Sequence, residues 1–290
     1  MIIGHEKQLN FLKRMADSGK IPHALLFTGQ EKLGKKTVAL QFISSLLGEN
    51  PENHPDFILI SSPKQDLKVK QIQINQIRDL SWRLSLKPIK SSLKAAIVDG
   101  AHLMTREAQN CFLKTLEEPK GNAILILITE HPNFLLPTIV SRCETFKFYS
   151  VTEKILKKFL VKKNIPEEKH EKILNNSFGK PGLMMDFLED PGKLKMREEK
   201  IKEVVKVLKL PFGNRFQYAK ELADKENIIE VLEIWTDYFR SVLLKKCLNF
   251  DFESLEKVKN FLENIQKTNF LLSTTNINSK LALEILMMQI

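Results

Sequence analysis

Apolar residues in the first half of the chain fall into short, almost uninterrupted runs. His23-Ala-Leu-Leu-Phe-Thr28 is one, closed by Gly29. Phe57-Ile-Leu-Ile60, Ala95-Ala-Ile-Val98 and Ala123-Ile-Leu-Ile-Leu-Ile128 follow, and Phe146-Lys-Phe148 is a short fifth. Runs of this length without polar alternation read as strands buried on both faces, the pattern of a parallel sheet. Between them the spacing becomes helical. Val38, Leu40, Phe42, Ile43, Leu46 and Leu47 share one apolar stripe after Gly34, and Ile72, Ile74, Ile77, Leu80, Trp82 and Leu84 form another. Ala108, Phe112, Leu113 and Leu116 form a third, which Pro119 and Gly121 are expected to end. Strands alternating with helices predict an α/β fold: a five-stranded parallel sheet with helices on both faces.

From Val151 the strand signal fades. A short helical stretch runs from Thr152 to about Asp190, interrupted by the turn Phe178-Gly-Lys-Pro-Gly182, and Pro191-Gly192 marks the next break. Helical periodicity then continues over Ile201–Leu208, Ile228–Leu244, Leu255–Ile265 and Leu281–Met288. The expected domains are an α/β unit over 1–150, a small all-α unit over 151–191 and a larger all-α unit over 192–290.

Composition narrows the function classes. Of 290 residues, 43% are hydrophobic and 28% charged, a globular balance that excludes a disordered or fibrous chain. No apolar run approaches the ~18 residues of a membrane span, and the first residues carry no apolar signal core, so a cytoplasmic location is expected. Cys111, Cys143 and Cys247 are dispersed and form no CxxC pair, which argues against a zinc cluster or a disulfide framework. The net charge of +10 favours acidic partners, nucleic acid first among them. Lysine supplies most of the excess, however, and a solvated lysine surface explains it equally well. The run Lys154, Lys157, Lys158, Lys162 and Lys163 is read in the same way, as a solvated helical face.

Candidate chemistry begins after the first strand. Gly29-Gln-Glu-Lys-Leu-Gly34-Lys35 fits G-x-x-x-x-G-K between a strand and a helix. Its glycines let backbone N–H groups curl around phosphates, and Lys35 would lie near the β/γ-phosphates. The next position should supply a Ser or Thr hydroxyl to Mg²⁺. Lys36 stands there, and Thr37 comes one residue late. A charged lysine repels the ion, so the loop keeps its motif and lacks its metal ligand. The third strand ends in Asp99, where a phosphate-loop ATPase holds Mg²⁺ through water, but Gly100 occupies the place of the water-activating Glu. His102 lies two residues further on, where a capping or surface role is the default. Two defects in one expected site argue against turnover of ATP by this chain alone.

Longer motifs then identify a family. Met104-Thr-Arg-Glu-Ala-Gln-Asn-Cys-Phe-Leu-Lys-Thr-Leu-Glu-Glu-Pro119 and Leu135-Leu-Pro-Thr-Ile-Val-Ser-Arg-Cys143 closely resemble stretches of bacterial AAA+ clamp-loader subunits. His54-Pro-Asp56, Ile77-Arg-Asp-Leu80 and Leu84-Ser-Leu-Lys-Pro88 match as well, so the resemblance covers about the first half of the chain. It implies an AAA+ domain followed by a helical lid and a helical collar. Within the family, Lys36 and Gly100 point to the delta-prime type of the DNA polymerase III clamp loader. The alternative is an ATP-hydrolysing motor subunit, gamma or tau. A third reading, a stand-alone basic DNA-binding protein, has only the charge behind it.

The resemblance also implies roles. Arg142 of Ser-Arg-Cys would act as an arginine finger in trans, reaching a neighbouring subunit's ATP, with Ser141 and Cys143 setting the turn that aims it. Thr129, at the end of the fourth strand, is either a γ-phosphate sensor or a polar strand terminus. Gly29, Gly34, Lys35, Thr37 and Asp99 would form a degenerate nucleotide site. No cofactor is expected, Mg·ATP is doubtful, and Gly48–Asn53 bridges the place of a relative's four-cysteine zinc module without a cysteine, so no zinc is expected there. The implied partners are gamma/tau motor subunits, the delta subunit and, through the complex, a sliding clamp and primed DNA. Trp235, Tyr238 and Phe239 share a helix face and are expected in a core or interface rather than as a base-stacking platform.

Overall fold

A computed structural model describes residues 2–62, 71–118, 121–224, 227–248, 252–275 and 277–289. Pro119 lies outside the described residues. The chain divides into two compact units, Met1–Glu167 with Gly179–Leu183, and Glu168–Phe178 with Met184–Ile290. The segment 151–191, expected as a separate lid, is thus shared between them.

The first unit runs α1 (Glu6–Asp17), β1 (Ala24–Thr28), α2 (Lys35–Leu47), β2 (Phe57–Ser61), α3 (Ile74–Ser85), β3 (Lys94–Asp99), α4 (Arg106–Glu117), β4 (Ala123–Thr129), α5 (Pro137–Val140), β5 (Glu144–Lys147) and α6 (Glu153–Lys162). The strands form one sheet in the order β2-β3-β4-β1-β5, every pair parallel. Residues of the apolar runs alternate between two cores. Leu26, Ile60, Val98 and Leu127 pack with Ile77, Leu80, Phe112 and Ile139 on one face. Leu25, Phe27, Ile97 and Ile126 pack with Leu12, Val38, Phe42 and Ile43 on the other. A sheet covered on both faces has no solvent side, which is why the strands show no polar alternation. Parallel strands also bring their C-terminal ends to one edge. Thr28 pairs with Thr129, and Asp99 pairs with Ile128, so three candidate residues or their neighbours meet at that edge.

Asp56 fixes the opposite edge. Its buried carboxylate accepts hydrogen bonds from the backbone N–H groups of Ile89 (2.7 Å), Lys90 (2.8 Å) and Ser91 (3.0 Å) and from the Ser91 hydroxyl (3.1 Å). Burial pushes its carboxyl up, but those donors outweigh it and hold the pKa at about 2.

The second unit is all-α: α7 (Glu167–Ser177), α8 (Pro181–Glu189), α9 (Pro191–Val207), α10 (Phe212–Ala223), α11 (Ile228–Leu248), α12 (Phe252–Thr274) and α13 (Ser279–Met288). The first residues of α7 and α8 belong to the first unit. Pro191 opens α9 at its first turn, and the Asp190 carboxylate accepts from the Gly192 N–H at 2.9 Å. Trp235 and Phe239 are buried with Leu232, Ile265, Leu283 and Leu286, which places the aromatic stripe in the core. A buried ion pair at 2.8 Å ties Arg197 of α9 to Asp237 of α11, and the guanidinium lies over the Phe178 ring. On α13 the outer face carries Leu281, Ile285 and Met288, all exposed.

Sequence periodicity and structure differ in places. Ile72 lies before α3 and forms an isolated bridge with Met104. The last strand begins at Glu144, ahead of the Phe146-Lys-Phe148 run. Helix α10 (Phe212–Ala223) is not among the helical segments expected from the sequence. No described helix is long and apolar enough to cross a membrane.

Candidate functional site

The loop after β1 follows from two backbone demands. Gly29 has φ of 142°, and a Cβ there would lie 2.5 Å from the Phe148 carbonyl oxygen. Only glycine lets the chain pass that close to the β5 exit. Gly34 has φ of 91° and opens α2 in the left-handed region. The loop is also held from outside. His5 Nε2 lies 2.8 Å from the Leu33 carbonyl, and the Gly182 N–H donates to the Lys32 carbonyl at 2.7 Å.

Lys35 does not project from this loop. Its side chain is buried, and its ammonium donates to the carbonyls of Gly29 and, at 2.5 Å, of Gln30. Burial lowers its pKa, an effect opposed by Glu130, Glu31 and Asp99 and reinforced by Lys180. Glu130, directly after Thr129, is partly buried beside the loop, where the charges of Glu31, Lys35 and Lys180 act on it. Burial, helped by Glu31, raises the Glu130 pKa to about 7, against the pull of Lys35 and Lys180.

The metal position is filled from within the chain. Lys36 Nζ lies 3.1 Å from Asp99 Oδ2. The residue that replaces the Mg²⁺-ligating hydroxyl thus pairs with the carboxylate that would hold the ion. Thr37 is exposed on α2, one residue past the position where a hydroxyl is needed. Gly100 has φ of 76° and offers no side chain. The residues present do not fit a magnesium ion: a cation already neutralises the only carboxylate of the expected set.

Thr129 is buried, and its hydroxyl lies 3.2 Å from His102 Nδ1 and accepts from the His131 N–H at 3.1 Å. His102, expected to cap or to lie at the surface, is partly buried against the His131 ring. Burial, His131 and Lys35 lower its pKa to about 4, so the ring is neutral at pH 7.

The Ser-Arg-Cys motif forms a separate cluster at the end of α5. The short helix is seated by Gln109 of α4. The Gln109 amide donates to the Met104 and Phe134 carbonyls, both at 3.1 Å, and its carbonyl accepts from the Leu136 N–H at 2.8 Å. The Ser141 hydroxyl caps back to the Thr138 carbonyl at 3.2 Å. Burial pushes the Cys143 thiol up to about 12, which suits a packing residue and not a nucleophile. Arg142 is about one-third exposed, and its guanidinium bridges Glu117 Oε1 at 2.8 Å and the Thr138 carbonyl at 3.1 Å.

Gly29, Gly34, Lys35, Asp99 and Thr129 thus meet at one sheet edge, whereas Arg142 bonds to Glu117 and Thr138. Sequence reading missed Gln109, Glu117 and Glu130. Gln109 and Glu117 lie inside the quoted motif, but the partners that tie them to the segment around α5 are 25 or more residues away. Glu130 follows an expected sensor and carried no signal of its own.

Comparison with known proteins adds a family. The sequence profile of the family described as "DNA polymerase III, delta subunit" matches residues 4–152. The chain is similar to the DNA polymerase III subunit delta' of Pseudomonas aeruginosa, 27% identical over 92% of this chain and 91% of that protein. It is 31% identical to the delta' subunit of Bacillus subtilis over 54% of this chain and 51% of that one. It is 28% identical to the subunit gamma of Buchnera aphidicola over 72% of this chain and 63% of that one. The matches to the last two therefore span less than two thirds of those relatives. Among solved structures, a gamma subunit-related protein of Thermotoga maritima aligns over 97% of both chains with a TM-score of 0.50 and 20% identity. A RuvB variant from the same organism aligns over 96% of this chain and 87% of its own with a TM-score of 0.52 and 17% identity. These two bear on the fold alone.

Proposed function

The chain belongs to the DNA polymerase III delta-subunit family, in its delta-prime branch, and from that premise we propose that it serves the clamp loader without hydrolysing ATP itself. In this reading it lends Arg142 to the ATP site of a neighbouring gamma/tau motor subunit. It assembles with those subunits and with the delta subunit, and the complex opens a sliding clamp and places it on primed DNA. The observation that carries the reading is the Lys36–Asp99 pair at 3.1 Å, which puts an ammonium where a motor subunit needs Mg²⁺. Lys35 bonded to the carbonyls of its own loop supports the same conclusion.

Arg142 suits the donor role chemically. A guanidinium presents a planar fork to a γ-phosphate and neutralises charge as the phosphoryl group transfers. Its present partners are a partly exposed carboxylate and a carbonyl, a pairing weak enough for a γ-phosphate to displace. The outer face of α13 supports assembly: Leu281, Ile285 and Met288 recur at i, i+4 and i+7, the spacing by which one helix packs against another.

Titration of the isolated chain with Mg·ATP, with Lys35→Ala as control, tests the silent site. The expected outcome is no saturable binding at millimolar nucleotide. Micromolar binding that is lost in Lys35→Ala would favour the second reading, a motor subunit, for which the intact Gly29-to-Lys35 motif is the supporting observation.

A further inference from the structure

The geometry points to Glu117 as a positioning residue that holds Arg142 in reserve, an inference that rests on the trans-arginine reading above. Glu117 is the last residue of α4, and its carboxylate takes Arg142 Nη2 at 2.8 Å while Nη1 is held by the Thr138 carbonyl. Two features set this pair apart from an incidental surface contact. A carboxylate at a helix C-terminus faces the negative end of the helix dipole, where local preference favours a cation. Glu117 therefore stands against the preference of its own helix, and the guanidinium answers both the carboxylate and the helix end. The two sides of the pair are also tied together independently. Gln109 of α4 bonds to the Phe134 carbonyl and the Leu136 N–H, which fixes the segment leading into α5 against the helix that carries Glu117.

A γ-phosphate and Glu117 compete for one guanidinium. Both partners are exposed to water, Arg142 at 37% and Glu117 at 48%, so the pair is worth at most about fivefold in an equilibrium. That is enough to bias the arginine away from a neighbouring phosphate and too little to lock it there. Glu117 thus sets a threshold: it keeps Arg142 ordered and withdrawn until an approaching polyphosphate outbids it.

The test uses the reconstituted loader, with steady-state ATPase measured with and without primed DNA for Glu117→Gln, Arg142→Ala and the double variant. Glu117→Gln removes the charge, keeps the shape and lies at the surface, so folding is not at stake. The expected result is a two- to fivefold rise in the DNA-independent rate with a lower KM for ATP, and little change in the DNA-stimulated kcat. The double variant should match Arg142→Ala alone. An unchanged or lower DNA-independent rate in Glu117→Gln, with Arg142→Ala clearly impaired, would overturn the reserve role and leave the finger intact. If Arg142→Ala itself kept full ATPase, the finger reading would fail, and the reserve role with it.

Discussion

Replacing Lys36 with Thr probes the block at the metal position. The substitution restores a hydroxyl where the phosphate-loop motif expects one and frees Asp99 from an ammonium 3.1 Å away. The fold should tolerate it. The pair is 41% and 30% exposed, and ion pairs of that exposure contribute about 0–1 kcal/mol. The effect on a divalent cation is larger. At water's dielectric constant, a unit charge about 4 Å from a doubly charged ion costs ~2 kcal/mol, roughly 30-fold in affinity. The lysine side chain can swing away, so a gain of about tenfold is the sober expectation. The assay is equilibrium binding of a fluorescent ATP analogue in Mg²⁺ and in EDTA, at fixed ionic strength. For the unaltered chain, no saturable binding is expected with Mg²⁺ or in EDTA. For Lys36→Thr, Mg²⁺ should strengthen binding about tenfold relative to EDTA. A Mg²⁺ dependence already present before substitution would refute the reasoning, as would a Lys36→Thr protein that gains none.

Two other predictions concern stability. Asp56→Asn replaces a charged acceptor of four hydrogen bonds by a neutral amide and should cost about 2–4 kcal/mol, read as a lower denaturant midpoint at unchanged m-value. Because the folded pKa of Asp56 is depressed, its contribution is complete above pH 4 and lost as pH falls through about 2, so the two proteins should converge in strong acid. Glu130 has the opposite sign. With its folded pKa raised to about 7, the folded state holds a proton that the unfolded state has released, so stability falls as pH rises from about 4.5 to 7. Thermal melts between pH 5 and pH 8 should show that Glu130→Gln lacks up to about 3 kcal/mol of this loss; parallel profiles for the two proteins would count against it.

The fold was largely legible in the sequence because burial on both faces leaves a plain mark. Leu25, Leu26 and Phe27 are all apolar since their alternate side chains enter two different cores. Helix α10 was not read from the sequence, although Ala219 and Leu222 are buried in the helical core and Tyr218 packs against it. The site was readable only to the level of single positions. Lys36 stood out as a wrong residue in a known pattern, but that it closes the metal position by reaching Asp99 requires β1 and β3 to end at the same sheet edge. Arg142 was identified by its motif, whereas its partner Glu117 lies 25 residues earlier and is brought to it by the packing of α4 on α5. Residue type is local information, whereas the Lys36–Asp99 and Glu117–Arg142 pairings are made by topology.

The central claim is a division of labour, and the arginine tests it most directly. Arg142→Ala should be assembled with unaltered motor and delta subunits, and DNA-stimulated ATPase measured on complexes shown to be intact. Fingers of this kind contribute about 10³–10⁵-fold at the site they complete. The neighbouring site should fall nearly silent, so the loader should lose that site's share of turnover and most of its clamp-loading rate. An intact Arg142→Ala complex with undiminished ATPase and clamp loading would contradict the account.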